Sequence, residues 1–119
     1  MLTCFGGPAD GRRFSAVRAP MYLRVVRTPA GELFALDRYQ DVAAPDELVD
    51  VYSRRVLQGF AAITGIHGRQ TVAVAEYDHL RPQPEPIHLY DTASWRAWCV
   101  ARHKADLQGD PPHEPPGVD

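Results

Sequence analysis

A chain of 119 residues is long enough for one domain with one modest hydrophobic core. Its hydrophobic content of 45% is typical of a globular protein, and a formal net charge of −2 excludes a global positive field that would draw it onto nucleic acid. The sequence has no apolar run near the ~18 residues that span a membrane, and no basic and apolar leader pattern follows Met1. We therefore expect neither a membrane span nor secretion.

The first 80 residues carry the pattern of a small antiparallel, barrel-like β domain. Strands are predicted for residues 1–5, 12–17, 21–27, 32–39 and 70–79. The run "MYLRVVR", residues 21–27, is one of the clearer ones because it is β-branched and aromatic in character. The last of them, "QTVAVAEYDH", has apolar side chains on both faces and is predicted to be a central strand.

Residues 45–58 are compatible with two structures. Pro45 before two acidic residues is typical of a helix start, and Leu48, Tyr52 and Val56 have helical spacing. The run "VDVYSRRV" is instead β-like, and "GIHG" before the next strand indicates a hairpin. We favour a strand over residues 49–58.

After Leu80 the composition changes. Prolines at alternate positions 82, 84 and 86 predict an extended, polyproline-like linker over residues 81–91. A helix is predicted over residues 92–108, with Asp91 or Thr92 as its N-cap and Gly109 after its end. Residues 109–119 are predicted to be a flexible tail. The fold class is therefore mainly β (α+β), with a C-terminal helix.

The glycines of "CFGGPADGRRF" raise the question of a phosphate-binding loop. Such a loop opens a helix, and in its Walker form it ends in Lys followed by Ser or Thr, but Gly11 is followed by Arg-Arg-Phe. A structural turn fits better: Pro8 presets φ, Gly7 before it is expected to be extended, and Gly11 takes a positive φ. The predicted turn residues are Gly6, Gly7, Pro8, Asp10 and Gly11.

The same stretch resembles the GGP-x-DG opening of small uncharacterised proteins encoded by tailed phages and prophages of GC-rich bacteria. In those proteins a strand bearing Tyr and Arg follows, and "VYSRRV", residues 51–56, is its counterpart here. The resemblance covers about half of the chain and does not include the proline linker or the Trp-containing helix. It implies a phage context without enzymatic activity, and it supplies no catalytic residues.

The remaining residues do not form a recognisable catalytic or metal site. None of the five histidines has the tight spacing of zinc ligands, and "EYDH", residues 76–79, is interpreted as a solvated strand end. No serine or cysteine lies in a nucleophile-elbow context. Cys4 and Cys99 are expected to be free, buried thiols, with a disulfide left open as the alternative. We predict no catalytic residue, no metal and no cofactor.

Two other sets of residues are candidates for contact surfaces. Arg54 and Arg55 are adjacent in a predicted strand and so point to opposite faces, which favours ion pairing or a protein interface over nucleic-acid binding. Trp95 and Trp98 lie one turn apart on the C-terminal helix, and Trp is a frequent anchor at interfaces. Either this helix packs on its own sheet, or the linker carries it as an arm onto a neighbouring subunit.

These observations lead to three hypotheses of function. The first is a non-enzymatic phage accessory protein, a virion component or decoration that contacts other virion proteins or its own copies as an oligomer or part of a larger assembly. The second is a phage-encoded intracellular regulator or inhibitor that binds a host protein or nucleic acid, and the third is a small enzyme. The first two place the protein in the virion or the host cytoplasm.

Overall fold

A computed structural model gives the structure of residues 1–66 and 68–108, the last two of these as backbone only. Six strands are described: β1 (Leu2–Phe5), β2 (Arg13–Phe14), β3 (Tyr22–Arg27), β4 (Leu33–Leu36), β5 (Leu48–Gly65) and β6 (Gly68–His79). A 3-10 turn covers Gly7–Ala9, and two helices follow the strands: α1 (Pro86–Tyr90) and α2 (Thr92–Gln108). The predicted tail, including Gly109, lies outside the described residues.

The strands form one barrel-like sheet in the order β2-β1-β6-β5-β3-β4. The prediction of a mainly β fold with a C-terminal helix is therefore confirmed. All pairings are antiparallel except that of β1 with β6, where Leu2 lies opposite Ala75 and Cys4 opposite Tyr77 in parallel register. The predicted central position of the strand at 70–79 is correct, since β6 has β1 on one side and β5 on the other.

The ambiguous stretch is a strand and not a helix. β5 pairs with β3 from Leu48 to Ser53 and with β6 from Tyr52 to Gly65, so it runs past the predicted end at residue 58. Val51 and Tyr52 are fully buried between these neighbours. Ladder hydrogen bonds on both sides and burial outweigh the helix-start signal at Pro45, because local propensity is weak against tertiary contacts.

The sheet buries apolar side chains on both faces, and strand β3 contributes side chains to each face. Leu23 and Val25 belong to a cluster with Leu2, Cys4, Ala9, Tyr52, Ala73, Ala75 and Tyr77. Tyr22 and Val26 point the other way, into a cluster with Val49, Val51, Leu80, Leu89, Trp95 and Cys99. The second cluster joins the sheet to both helices, so α1 and α2 complete the core of the body.

The predicted extended linker is partly wrong. Residues 86–90 form helix α1, with Pro86 at its first turn, and Leu89 is buried in the second core cluster. Proline is compatible with the first helical turn, where its missing N–H has no intrahelical partner to lose. The prolines therefore position a short helix against the sheet.

Candidate functional site

The "GGPADG" stretch forms a compact turn between β1 and β2. The Gly11 amide donates to the Cys4 carbonyl (2.8 Å), and the Gly6 amide donates to the carboxylate of Asp10 (2.7 Å). Gly6, Gly7 and Gly11 all have positive φ, of 81°, 62° and 77°. The expectation of an extended Gly7 is wrong, because this residue opens the 3-10 turn in a left-handed conformation.

The side chains of Tyr52 and His79 lie against this turn. The Tyr52 hydroxyl accepts a hydrogen bond from the Ala9 amide (2.8 Å) and donates one to the Gly6 carbonyl (2.7 Å). A side chain at Gly7 would place its Cβ 2.5 Å from the His79 ring. Two amides of the turn are thus already bonded, to a hydroxyl and a carboxylate of the chain itself, and do not converge on an outside anion.

Arg54 and Arg55 make contacts within the chain. The Arg54 guanidinium donates to the carbonyl of Ala19 (2.7 Å). Arg55 lies over the ring of Phe5, 4.6 Å from its centre, and binds the carboxylates of Asp78 and Glu76, the latter at 3.4 Å. Hydrogen bonding from Arg55 holds the pKa of Asp78 below its ordinary value. The two arginines therefore do not form one basic face.

The "EYDH" cluster is divided between two contacts. Glu76 and Asp78 form ion pairs with Arg55. His79 contacts Asp50, with 3.4 Å between its Nε2 and the carboxylate oxygen, and the side-chain amide of Gln83 at 3.0 Å. Within residues 1–66 and 68–108, no group of three or more metal-ligating side chains is placed to hold an ion.

The two tryptophans have different environments. Trp95 is 2% exposed in the second core cluster, whereas Trp98 is half-buried beside it, with the two rings stacked at 5.2 Å. The guanidinium of the fully buried Arg24 lies 4.9 Å from the centre of the Trp95 ring. The packing of the helix on its own sheet describes this arrangement, since little of Trp95 is left for a neighbour.

Both cysteines are free and buried, as expected. Burial raises the pKa of the Cys4 thiol to about 12 and that of the Cys99 thiol to about 12. Almost no thiolate is therefore present at neutral pH, and thiolate is the reactive form. Neither cysteine has the environment of a nucleophile.

The outer half of the β5–β6 hairpin exposes several large apolar side chains, a feature that the sequence analysis missed. We call residues 56–66 and 68–71 the distal hairpin. Its large apolar side chains are exposed, including Phe60 at 62% and Ile66 at 97%; the set is Val56, Leu57, Phe60, Ile63 and Ile66. Phe60 lies opposite Ala73 and Ile63 lies opposite Gln70, so these two side chains point to opposite faces of the hairpin. Exposed apolar side chains grouped in one segment mark sites of protein interaction more often than scattered ones do.

The distal hairpin extends beyond the rest of the sheet. Pairing of β5 with β3 ends at Ser53, followed by one bond from the Arg54 amide to the Met21 carbonyl (2.8 Å). On the β6 side, the outermost bond runs from the Ala73 amide to the Ala16 carbonyl (2.9 Å). A signal for this feature was present in the sequence: "VLQGFAAITG", residues 56–65, contains no charged residue and no proline.

A polar cleft lies elsewhere, between the loop after β4 and helix α2. It has a volume of about 330 Å³, and its charged lining residues are Arg18, Asp37, Arg38 and Arg96. Arg38 pairs with Asp41 at 3.7 Å, and Arg96 lies over the Tyr39 ring at 5.2 Å. Two of its three guanidinium groups therefore already have partners in the chain.

None of the helices in the described part of the chain is long and apolar enough to cross a membrane.

Comparison with known proteins adds no relative. No protein-family model, no curated protein and no solved structure matches the chain.

Proposed function

We propose that this protein is a non-enzymatic phage accessory or structural protein, a virion component or decoration, that acts through protein–protein contacts made by its distal hairpin. The observation that carries the proposal is the projection of this hairpin beyond the core with Phe60, Ile63 and Ile66 exposed. The similarity of "GGPADG" to the opening of phage-encoded proteins supports the phage context.

The core organisation supports a contact role for the hairpin. The two core clusters use β6 from Ala73 onward and β5 up to Tyr52, so the distal hairpin contributes no member to either. Exposed apolar side chains that do not stabilise the fold have an energetic cost in water, and that cost is removed when a partner covers them. A contact with a partner explains why these side chains are apolar, since they do not contribute to the core of the chain itself.

The test is incorporation into particles. Particles of the encoding phage are purified on a density gradient and probed for this protein by mass spectrometry. We expect the protein to co-purify with particles, and a double variant Phe60→Ser/Ile63→Ser to be lost from them while remaining folded. Ile87→Ser is the matched control, because Ile87 is also 60% exposed but lies on α1.

Two results would contradict the proposal. Wild-type protein found only in the host soluble fraction would favour the alternative of a free regulator or inhibitor. Retention of the double variant at the level of the Ile87→Ser control would show that the distal hairpin is not the contact.

A further inference from the structure

The backbone of β5 in the distal hairpin has a defined set of groups that face away from β6. Phe60 lies opposite Ala73, but the Ala73 amide donates to the Ala16 carbonyl and so does not pair with Phe60. Phe60 and Ala73 are therefore a non-hydrogen-bonded pair, and the N–H and C=O of Phe60 point outward. Because the pattern alternates, the same groups of Ala62 and Thr64 also point outward. We call this line of groups the β5 edge.

The β5 edge has no backbone partner within residues 1–66 and 68–108. The β3 ladder ends at Ser53 and the last bond on this side belongs to Arg54. Natural proteins usually protect such an edge with charged residues, proline or a covering segment. Residues 56–65 contain neither charge nor proline, and most of their side chains are exposed. The exposed edge is therefore a template for another strand.

We propose that the β5 edge pairs in antiparallel register with the β5 edge of a second copy of this chain, forming a continuous sheet in the order β6-β5-β5-β6 across the two hairpins. This inference rests on the proposed function, since it names a partner for the same surface. A two-fold axis brings the same edge of each copy together, so the donors and acceptors of one strand meet those of the other.

The charge pattern favours a second copy as the occupant. In an antiparallel self-pair both strands carry the same side chains, and because residues 56–65 have no charged residue, no like charges meet in any register. Arg55, at the base of the hairpin, is bound to Asp78 and Glu76 and adds no unpaired cation. Ten residues in extended conformation give an edge of about 33 Å. Leu57, Phe60 and Ile63 of both copies would lose exposed apolar surface on pairing.

The experiment measures association of the purified full chain by analytical ultracentrifugation, and exchange of individual amides by NMR. We expect a species of twice the 13.3 kDa chain mass, and slower exchange of the Phe60, Ala62 and Thr64 amides as concentration rises. Ala62→Pro removes an outward N–H without removing a β5–β6 bond, and should weaken dimerisation by at least about tenfold. Ala62→Val is the control that keeps the N–H and should still dimerise.

A second variant tests the pairing without proline, because a proline substitution that unfolds the chain would also abolish dimerisation. Phe60→Lys puts a positive charge on the β5 edge of each copy and should give a monomer, whereas Ile87→Lys should dimerise like wild type. A wild-type monomer up to about 100 µM would overturn the inference, as would a dimer whose β5 edge amides stay unprotected. Failure here with the protein still found in particles rejects self-pairing alone. Dimerisation with absence from particles rejects the virion role alone.

Discussion

Arg24 is a fully buried charged residue that joins three segments of the chain. Its guanidinium donates to the carbonyls of Leu89 (3.1 Å), Arg38 (3.1 Å) and Asp41 (2.8 Å). Burial lowers the pKa of Arg24, because the charged form loses solvent. The three carbonyl contacts offset part of this desolvation and fix the loop after β4 against α1.

Replacing Arg24 therefore tests how much this junction contributes. Lys carries the charge but lacks the planar fork, so at least one carbonyl loses its donor. We expect Arg24→Lys to lower the free energy of unfolding by about 2–4 kcal/mol, measured by urea denaturation. Arg69→Lys, on the exposed distal hairpin, should stay within about 0.5 kcal/mol of wild type. Equal effects of the two substitutions would contradict the role assigned to Arg24.

The buried thiols of Cys4 and Cys99 predict that the free energy of unfolding decreases at alkaline pH. Because burial raises the pKa of Cys4 and Cys99 from 9.0 to about 12, the folded state holds these protons where the unfolded state releases them. Their contribution to stability is complete below pH 9 and is lost as the pH rises from about 9 toward 12, at up to about 1.4 kcal/mol per pH unit for each thiol. The denaturation midpoint is measured at pH 8, 9 and 10 and should fall as the pH rises. This fall should be smaller in the double variant Cys4→Ala/Cys99→Ala.

The opening turn is defined by glycines that differ in their surroundings. At Gly7 an added Cβ would meet the His79 ring at 2.5 Å, whereas at Gly11 nothing lies within 4 Å, although both residues have positive φ. We expect Gly11→Ala to cost about 1 kcal/mol from backbone strain alone, and Gly7→Ala to cost clearly more. Thermal denaturation of the two variants in parallel tests this expectation. A Gly7→Ala variant as stable as Gly11→Ala would contradict the close packing of Gly7 on His79.

Helix α2 is part of the core and not a free arm. Trp95→Ala should lower the free energy of unfolding by about 3–5 kcal/mol, because it empties a buried site between sheet and helix. Trp98→Ala should cost less, since Trp98 is only half-buried, against the rings of Trp95 and Tyr22. Denaturant unfolding curves give both values. The opposite order would place the helix differently from the packing described here.

Prediction from sequence succeeded where the signal is local. The runs "MYLRVVR" and "QTVAVAEYDH" correspond to β3 and β6, and the helix predicted over residues 92–108 has the bounds of α2. Parallel pairing of β1 with β6 depends on residues more than 70 positions apart, and no local pattern encodes it. The burial of Arg24 likewise requires three distant carbonyls, and α1 was missed because alternating prolines also suit an extended chain.

At the scale of the whole molecule, the structure divides into a self-contained body and a projecting hairpin. The body has its core on both faces of the sheet, closed on one side by α1 and α2. The strand predicted over residues 49–58 covers only the first part of β5, which runs from Leu48 to Gly65, so the projecting hairpin was not predicted. β5 pairs with β3 only as far as Ser53 but with β6 as far as Gly65, and this difference places the hairpin beyond the body.

Shortening the hairpin tests this division most directly. Ala61 and Val72 lie opposite each other, so residues 62–71 can be replaced by Asn-Gly, which closes a tight two-residue hairpin at this pair. With Phe60→Ser added, the shortened chain has none of Phe60, Ile63 and Ile66. We expect it to keep the denaturation midpoint and near-ultraviolet circular dichroism of the full chain, but no longer to enter phage particles. A shortened chain that enters particles like wild type, or one that no longer folds, would contradict the assignment of the distal hairpin to contact and not to stability.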